Sequence, residues 1–227
     1  MQYTFLLVIV MVCAILNWVA VEKKWKTIEY ICKPATMILL IIWLLLNGGG
    51  NGGALWFTLG AAFSLAGDIF LMLPQNLFIF GLVSFLCGHL MYIVGFNLYP
   101  PSLAGWGWVF ALVVAAILGL IISQIYRRLA EGLTAKKLTR LRLPVLIYAI
   151  VITLMVFSAL LCVLRTGWEL TPALWGIAGA LFFYISDTIL AVDRFVNALP
   201  HARLLTMTTY HLGQLAILLS AAFTFLN

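Results

Sequence analysis

Long apolar runs, separated by short polar stretches, dominate the hydrophobic pattern of this chain. A helix of about 20 apolar residues is long enough to cross the ~30 Å hydrocarbon core of a bilayer. Strands that alternate polar and apolar residues are absent, so the pattern does not favour an outer-membrane barrel. The pattern therefore predicts eight transmembrane helices. Their approximate bounds are 3–21, 28–46, 54–73, 77–98, 102–125, 143–164, 171–192 and 203–226.

Composition supports the same interpretation. Of the 227 residues, 65% are hydrophobic and only 9% are charged, whereas a soluble domain carries roughly 25% charged residues. No single water-soluble core could hide so much apolar surface, so we predict an all-α integral membrane protein. The stretch MQYTFLLVIVMVCAILNWVA has no basic n-region and no small-residue cleavage site, which favours a retained first span over a signal peptide.

Basic residues cluster in alternate loops. Twelve of the 13 lysines and arginines lie in or beside the first, fifth and seventh loops, and Arg165 alone lies on the other side. Because basic loops stay in the cytoplasm, we predict that both termini are non-cytoplasmic and expect the chain in a bacterial inner membrane. The segment IYRRLAEGLTAKKLTRLR (125–142) is predicted to be the longest loop and to lie against anionic headgroups. This topology accounts for the net charge of +6 without a nucleic-acid partner.

No motif points to a cofactor or a metal. The glycine-rich stretch GGGNGG (48–53) has no Lys-Ser/Thr after it and no strand before it, so it is predicted to be a turn rather than a phosphate cradle. PQN (74–76) is predicted to be another short connection. The four cysteines lie inside or at the edge of apolar runs, without the spacing of metal ligands, and are interpreted as buried apolar residues.

Two aspartates, Asp68 and Asp187, interrupt apolar runs at matching positions. Each lies five residues before the predicted cytoplasmic end of its span, which is about 7–8 Å inside the membrane at 1.5 Å per residue. Lys33 lies at a similar depth in the second span. An aspartate costs about 2.5–3.5 kcal/mol at the bilayer centre, so both should face an interior cavity rather than lipid.

The segments around these aspartates suggest an internal repeat. FSLAGDIFL (63–71) and FFYISDTIL (182–190) share a first phenylalanine, a small residue before the aspartate and a leucine three positions after it. The following span of each half contains a histidine. We therefore predict a single transmembrane domain with a weak repeat, 1–125 and 126–227, built as two related four-helix halves in the parallel arrangement that some transporters use.

Two buried carboxyl groups in one cavity can share a single proton, which provides an acid and a base. Asp68 and Asp187 are therefore the candidate catalytic residues. The alternative is structural: a hydrogen bond between helices, or an Asp–Lys33 pair that only fixes packing. The other polar residues expected at the substrate are Lys33, His89, Tyr92, Tyr184, Asp193, Arg194, Tyr210, His211 and Gln214.

Other charged residues have plainer interpretations. Asp193 and Arg194 form either a local ion pair or, through Arg194, a site for a phosphate headgroup. The acidic residues outside the spans are predicted to be surface charges: Glu22, Glu29, Glu131 and Glu169.

Five segments, in order along the chain, resemble the YhhN/TMEM86 family. They are KPATMILL (33–40), FSLAGDIFLML (63–73), FGLVSFLCGHLMYIVGF (80–96), FFYISDTILAVDRF (182–195) and ARLLTMTTYHLGQLAILLS (202–220). The characterised members of that family are lysoplasmalogenases. The resemblance implies hydrolysis of the sn-1 vinyl-ether bond of a lysoplasmalogen taken from the bilayer, without a cofactor. The products would be a fatty aldehyde and glycerophosphoethanolamine or glycerophosphocholine. It maps the family's two intramembrane aspartates onto Asp68 and Asp187.

Two other functions fit parts of the pattern. One is hydrolysis of another lysolipid or ether lipid on the same scaffold. The other is proton-coupled transport, which matched aspartates in parallel repeats would also suit. A transporter should have polar residues on both sides of the membrane, whereas here they gather in the predicted cytoplasmic half. That asymmetry favours an enzyme that opens to the cytoplasm. The sequence does not indicate an oligomeric state.

Overall fold

A computed structural model describes residues 3–73 and 77–226, and over these ranges the chain forms eight α-helices. Their bounds are α1 Phe5–Lys23, α2 Lys26–Leu46, α3 Ala54–Met72, α4 Phe78–Phe96, α5 Gly107–Ala135, α6 Arg142–Leu160, α7 Leu170–Phe195 and α8 Ala202–Phe225. Short 3₁₀ turns at Thr139–Leu141 and Leu161–Leu164 flank α6. The predicted connection at 74–76 lies outside the described residues.

The all-α membrane fold predicted from the sequence is confirmed. In the described part of the chain, seven helices are long and apolar enough to cross a membrane, and α8 is not one of these seven. Polar residues within α8 lower its hydropathy. Helix α8 packs against α7, α1, α3 and α2, and its buried face includes Tyr210, His211 and Gln214. Its polar groups therefore meet other helices instead of lipid.

Helix α5 is longer than predicted. The segment expected to be the longest loop is helical as far as Ala135, so its interpretation as a loop is wrong over 125–135. Leu129 and Leu133, four residues apart, are buried in a small cluster that includes Phe195. A Cβ atom at Gly132 would lie 2.3 Å from the carbonyl oxygen of Phe195. This close contact between α5 and the end of α7 continues the helix beyond the apolar run.

Two helical hairpins contain the aspartates. Helix α3 packs on α4 where a Cβ at Gly88 would lie 3.0 Å from the carbonyl oxygen of Gly60, and α7 packs on α8 where a Cβ at Gly179 would lie 2.8 Å from that of Gly213. Gly60 and Gly179 each lie eight residues before the aspartate of their helix. Such glycine contacts let two helix backbones approach closely. The two hairpins thus have similar packing, although the internal repeat stays a prediction.

The turn at 48–53 and the buried Arg165 lie at the end of the bundle away from the aspartates. The predicted turn is present, and Gly48 and Gly52 have positive φ angles of 104° and 56°, which glycine adopts without strain. Arg165 donates hydrogen bonds to the carbonyl oxygen of Tyr99 and the side chain of Asn97. Burial lowers the pKa of the Arg165 guanidinium below its usual range. These bonds join the connection before α5 to the connection before α7.

Candidate functional site

Asp68 is held between a cation and a phenol. Lys33 Nζ lies 3.0 Å from Asp68 Oδ1, and the side chains are only 7% and 1% exposed. Tyr210 Oη donates to Asp68 Oδ2 at 2.7 Å. Helices α2, α3 and α8 therefore meet at this carboxylate, and the Lys33 pair that the sequence suggested as a structural alternative is present. A buried ammonium offsets the charge of a buried carboxylate.

Asp187 has a different environment. Tyr148 Oη, on α6, donates a hydrogen bond to Asp187 Oδ2, and His89 Nε2, on α4, lies 3.5 Å from the same oxygen. The Asp187 side chain is 14% exposed, so it can be reached from the neighbouring cavities. A phenol and an imidazole contact this carboxyl group, whereas a lysine contacts Asp68.

The small residue before each aspartate allows this arrangement. A Cβ at Gly67 would lie 2.6 Å from the ring of Phe85, so glycine lets this α4 ring reach the backbone of α3 beside Asp68. Ser186, before Asp187, donates to the carbonyl oxygen of Thr206 at 3.0 Å. Both positions are therefore contact points between neighbouring helices.

A polar cavity opens beside the aspartates. Asp68, Asp187 and Tyr210 line it together with polar and charged residues from the ends of α2, α7 and α8. Those residues are Lys26, Glu29, Tyr30, Lys33, Ser186, Asp193, Arg203 and Thr206. Many of the polar groups at this end of the bundle therefore line a cavity. It contains both positive and negative side chains.

An apolar cavity lies on the other side of Asp187. Tyr148, Tyr184 and Arg194 are among the few polar residues at its surface. Apolar side chains from α4, α5, α6 and α7 form the rest, including Leu82, Leu129, Val145, Ala149 and Ile152.

The two cavities share one wall. Leu71, Phe85, Asp187 and Leu190 line both of them. Asp187 is therefore a carboxyl group at the boundary between a charged compartment and an apolar one. An amphiphile with one charged end and one apolar chain would match this arrangement.

Several charges at the end of the bundle have partners that sequence reasoning did not identify. Glu29 was expected at the surface, but it is buried and forms an ion pair with Arg203. Asp193 accepts a hydrogen bond from the Leu199 backbone N–H at 2.9 Å. The Arg194 guanidinium carbon lies 4.2 Å from the centroid of the Phe78 ring.

Four predicted substrate residues lie between helices. Tyr92 Oη donates to Gln214 Oε1 at 2.6 Å, and His211 Nδ1 accepts from Trp18 Nε1 at 3.1 Å. Tyr92, Gln214, His211 and His89 are all buried. Among the described residues, none of these four lines either cavity. They connect α4 to α8 and α1 to α8.

Tyr148 is the site residue that sequence reasoning missed. It is the one tyrosine within the apolar run LPVLIYAIVITLMV (143–156). A lone tyrosine near the start of a span is typical of the membrane interface, which hides its contact with Asp187. The available signal was that Tyr148 and Asp187 each lie five residues inside the predicted cytoplasmic end of their spans.

Sequence comparison shows which known proteins this chain is similar to. The sequence profile of the YhhN family matches residues 28–221, most of the chain. The chain belongs to the YhhN family. The resemblance expected from the five ordered segments is therefore confirmed, and both cavities of this YhhN protein lie almost wholly within the matched residues.

Named relatives extend from mammals to bacteria. The chain is 30% identical over 208 residues to "Lysoplasmalogenase TMEM86B" of Mus musculus, which covers 91% of this chain and 80% of the relative. It is 31% identical over 209 residues to "Lysoplasmalogenase TMEM86A" of Homo sapiens, covering 88% and 80%. A "Lysoplasmalogenase" of Mycobacterium tuberculosis (strain CDC 1551 / Oshkosh) is 29% identical over 178 residues, covering 75% and 60%. No solved structure matches the chain.

Proposed function

We propose that this YhhN protein is a membrane hydrolase of the lysoplasmalogenase type. It cleaves the sn-1 vinyl-ether bond of a lysoplasmalogen, releasing a fatty aldehyde and glycerophosphoethanolamine or glycerophosphocholine. The observation that carries the proposal is that a polar cavity and an apolar cavity meet at Asp187. The names of the relatives support the same chemistry.

A lysolipid would lie across the shared wall. Its apolar chain would occupy the apolar cavity, and its phosphate would lie in the polar cavity near Lys26 and Arg203. The sn-1 linkage joins the chain to the glycerol, so it would reach the boundary where Asp187 lies. A lipid could enter sideways between the helices from the bilayer, as the predicted membrane location allows.

We infer different roles for the two carboxyl groups from their contacts. Asp68, with Lys33 at 3.0 Å and a donated bond from Tyr210, is the ionised partner. Asp187 is the acid, because it lies where the polar and the apolar cavity meet and the vinyl ether would lie. A positioned acid or base typically contributes about 10²–10⁴-fold in rate.

The reaction then proceeds in steps that balance. Asp187 gives its proton to the β-carbon of the vinyl ether, whose double-bond electrons form the new C–H bond. The resulting oxocarbenium ion is stabilised by the Asp68 carboxylate, which removes a proton as water adds. In the collapse of the hemiacetal, Asp68 protonates the departing glycerol oxygen and Asp187 takes the hydroxyl proton. One water is consumed, and both carboxyl groups return to their starting states.

One assay tests the proposal. Purified protein is given a lysoplasmalogen, the same lipid with a saturated sn-1 ether, and an ester lysophospholipid, and products are followed by mass spectrometry. We expect aldehyde from the vinyl ether alone, and at least a 100-fold loss in Asp68→Asn and Asp187→Asn. Tyr126→Phe, which alters an exposed hydrogen bond to the Arg142 carbonyl outside both cavities, is the control. Cleavage of the other lipids would indicate another hydrolase, and no cleavage would favour transport.

Orientation and internal repeat are part of the same proposal. The protein lies in a bacterial inner membrane, with its polar cavity open to the cytoplasm and both termini on the other side. The two four-helix halves descend from one unit. Single cysteines at exposed Lys24 and Lys137, labelled in intact cells with a membrane-impermeant thiol reagent, test the orientation. Both should stay unlabelled until the cells are opened.

A further inference from the structure

Three side chains from three helices form a line that ends at the carboxyl group of Asp187. His89 Nε2 lies 2.9 Å from Tyr148 Oη, and Tyr148 Oη donates to Asp187 Oδ2. The rings of His89 and Tyr148 meet edge to face at 5.2 Å between centroids, and Phe183 packs on the other side of the imidazole at 4.7 Å. The line from α4 through α6 to α7 is therefore fixed by packing as well as by hydrogen bonds.

The available hydrogen-bond donors and acceptors assign the hydrogens along this line. A phenol has one hydrogen, and Tyr148 gives it to Asp187, so the phenol oxygen accepts from His89 Nε2–H. His89 Nδ1 is buried and has no hydrogen-bond partner within the described residues. A second proton there would be a buried donor without an acceptor, which is costly. The network therefore places a hydrogen of His89 on Nε2, where it is donated to Tyr148.

The direction of these bonds matters for proton transfer. Both contacts fall on Oδ2 of Asp187, so the transferable proton resides on Oδ1. A hydrogen bond to a carboxylate is stronger than one to a neutral carboxylic acid, so the Tyr148 bond strengthens as Asp187 gives up its proton. An interaction that is stronger after the transfer than before it lowers the barrier to the transfer.

We propose that Tyr148 and His89 are positioning residues for the acid Asp187: Tyr148 holds its carboxyl group, and His89 holds Tyr148. The proposal rests on the proposed function and deepens it. His89, expected from the sequence to touch the substrate, instead acts through Tyr148. Among the described residues His89 lies outside the lining of both cavities, and its side chain is fully buried.

Steady-state kinetics of three variants test this arrangement. Tyr148→Phe removes only the phenol oxygen and should lower kcat about 10- to 100-fold, the size expected for losing one hydrogen bond to a charged group, with KM within about twofold of the wild type. His89→Leu should behave similarly. His89→Gln keeps an N–H donor near the position of Nε2, and its kcat should recover to within about fivefold of the wild type.

The matched controls are Tyr126→Phe and His201→Gln. Tyr126 is half-buried, His201 is exposed, and both lie outside the two cavities. Both should keep the wild-type kcat. Unchanged kcat in Tyr148→Phe beside an inactive Asp187→Asn would overturn this inference alone, and so would a raised KM with normal kcat. Equal losses in His89→Gln and His89→Leu would overturn the role of His89. No vinyl-ether cleavage by the wild type would overturn the proposed function together with the inference.

Discussion

Removing the Lys33 ammonium tests whether Asp68 is a working carboxylate or only a structural contact. In Lys33→Met the side chain keeps much of its length and loses its charge. Lys33 Nζ lies 3.0 Å from Asp68 Oδ1, and Asp68 is almost completely buried. Breaking a buried ion pair by removing one partner costs about 3–5 kcal/mol. For a protein of this size that loss lowers Tm by roughly 6–20 °C.

A second substitution separates stability from activity. Lys33→Met combined with Asp68→Asn removes both charges, so we expect most of the lost stability to return, because the uncompensated buried charge is gone. Activity should not return. The double variant should release aldehyde at least 100-fold more slowly because it has no carboxylate at position 68. Lys33→Met should also lose activity, because the Asp68 carboxylate no longer has the ammonium that holds it in place.

Two measurements are made on the same preparations. One is thermal unfolding in detergent, monitored by tryptophan fluorescence, and the other is aldehyde release. Tyr126→Phe again controls for handling. A Lys33→Met variant with wild-type Tm and wild-type activity would refute the reasoning, because the pair would then contribute to neither. A double variant as unstable as the single one would show that Lys33 acts through packing instead of charge.

Three further changes test other parts of the molecule. Ala149→Phe fills the apolar cavity and should raise KM for a long-chain lysoplasmalogen at least tenfold in aldehyde-release assays, as expected when a hydrophobic pocket loses room. Gly60→Ala would place a Cβ 2.3 Å from the Tyr92 ring and should cost about 1–3 kcal/mol in thermal unfolding. Arg165→Leu leaves the Tyr99 carbonyl without its donor and should cost about 1–3 kcal/mol of stability, with normal aldehyde release per folded molecule.

Each of these has a contrary outcome. For Ala149→Phe, an unchanged KM at every chain length would mean that the lipid chain lies elsewhere. For Gly60→Ala, a wild-type Tm would mean that α3 and α4 can separate without cost. For Arg165→Leu, loss of activity in protein of normal stability would connect the far end of the bundle to the site.

The positions of the helices were largely predictable because lipid imposes one requirement on long segments. Apolar runs of the right length must be helical. All eight helices were predicted, and most of their ends were predicted to within a few residues. The end of α5 was not predicted, because Arg127 and Arg128 lower the local hydropathy and charged residues are usually found in loops. Outside the bilayer a helix can carry charges, and the contact of Gly132 with Phe195 could not be read from α5 alone.

The candidate site was predictable in part for a similar reason. An aspartate within an apolar run stands out, and a lysine at the same depth is its obvious partner, so the pair of Asp68 with Lys33 was foreseen. Tyr148 was not, because a tyrosine near a span end has an ordinary explanation. Glu29 was misplaced because its partner, Arg203, lies 174 residues away in the sequence. Which faces of two helices meet depends on packing that no single segment encodes.

The wall shared by the two cavities has a consequence for what happens after bond cleavage. Before hydrolysis, head and tail are one molecule, and in the proposed binding mode the wall would hold the bond that joins them. Afterwards the glycerophosphodiester is soluble in water and the fatty aldehyde is soluble in lipid. Each fragment would already lie in a compartment whose polarity matches the phase that dissolves it. Departure into two different phases would keep the products apart and would therefore favour their release over rebinding in the site.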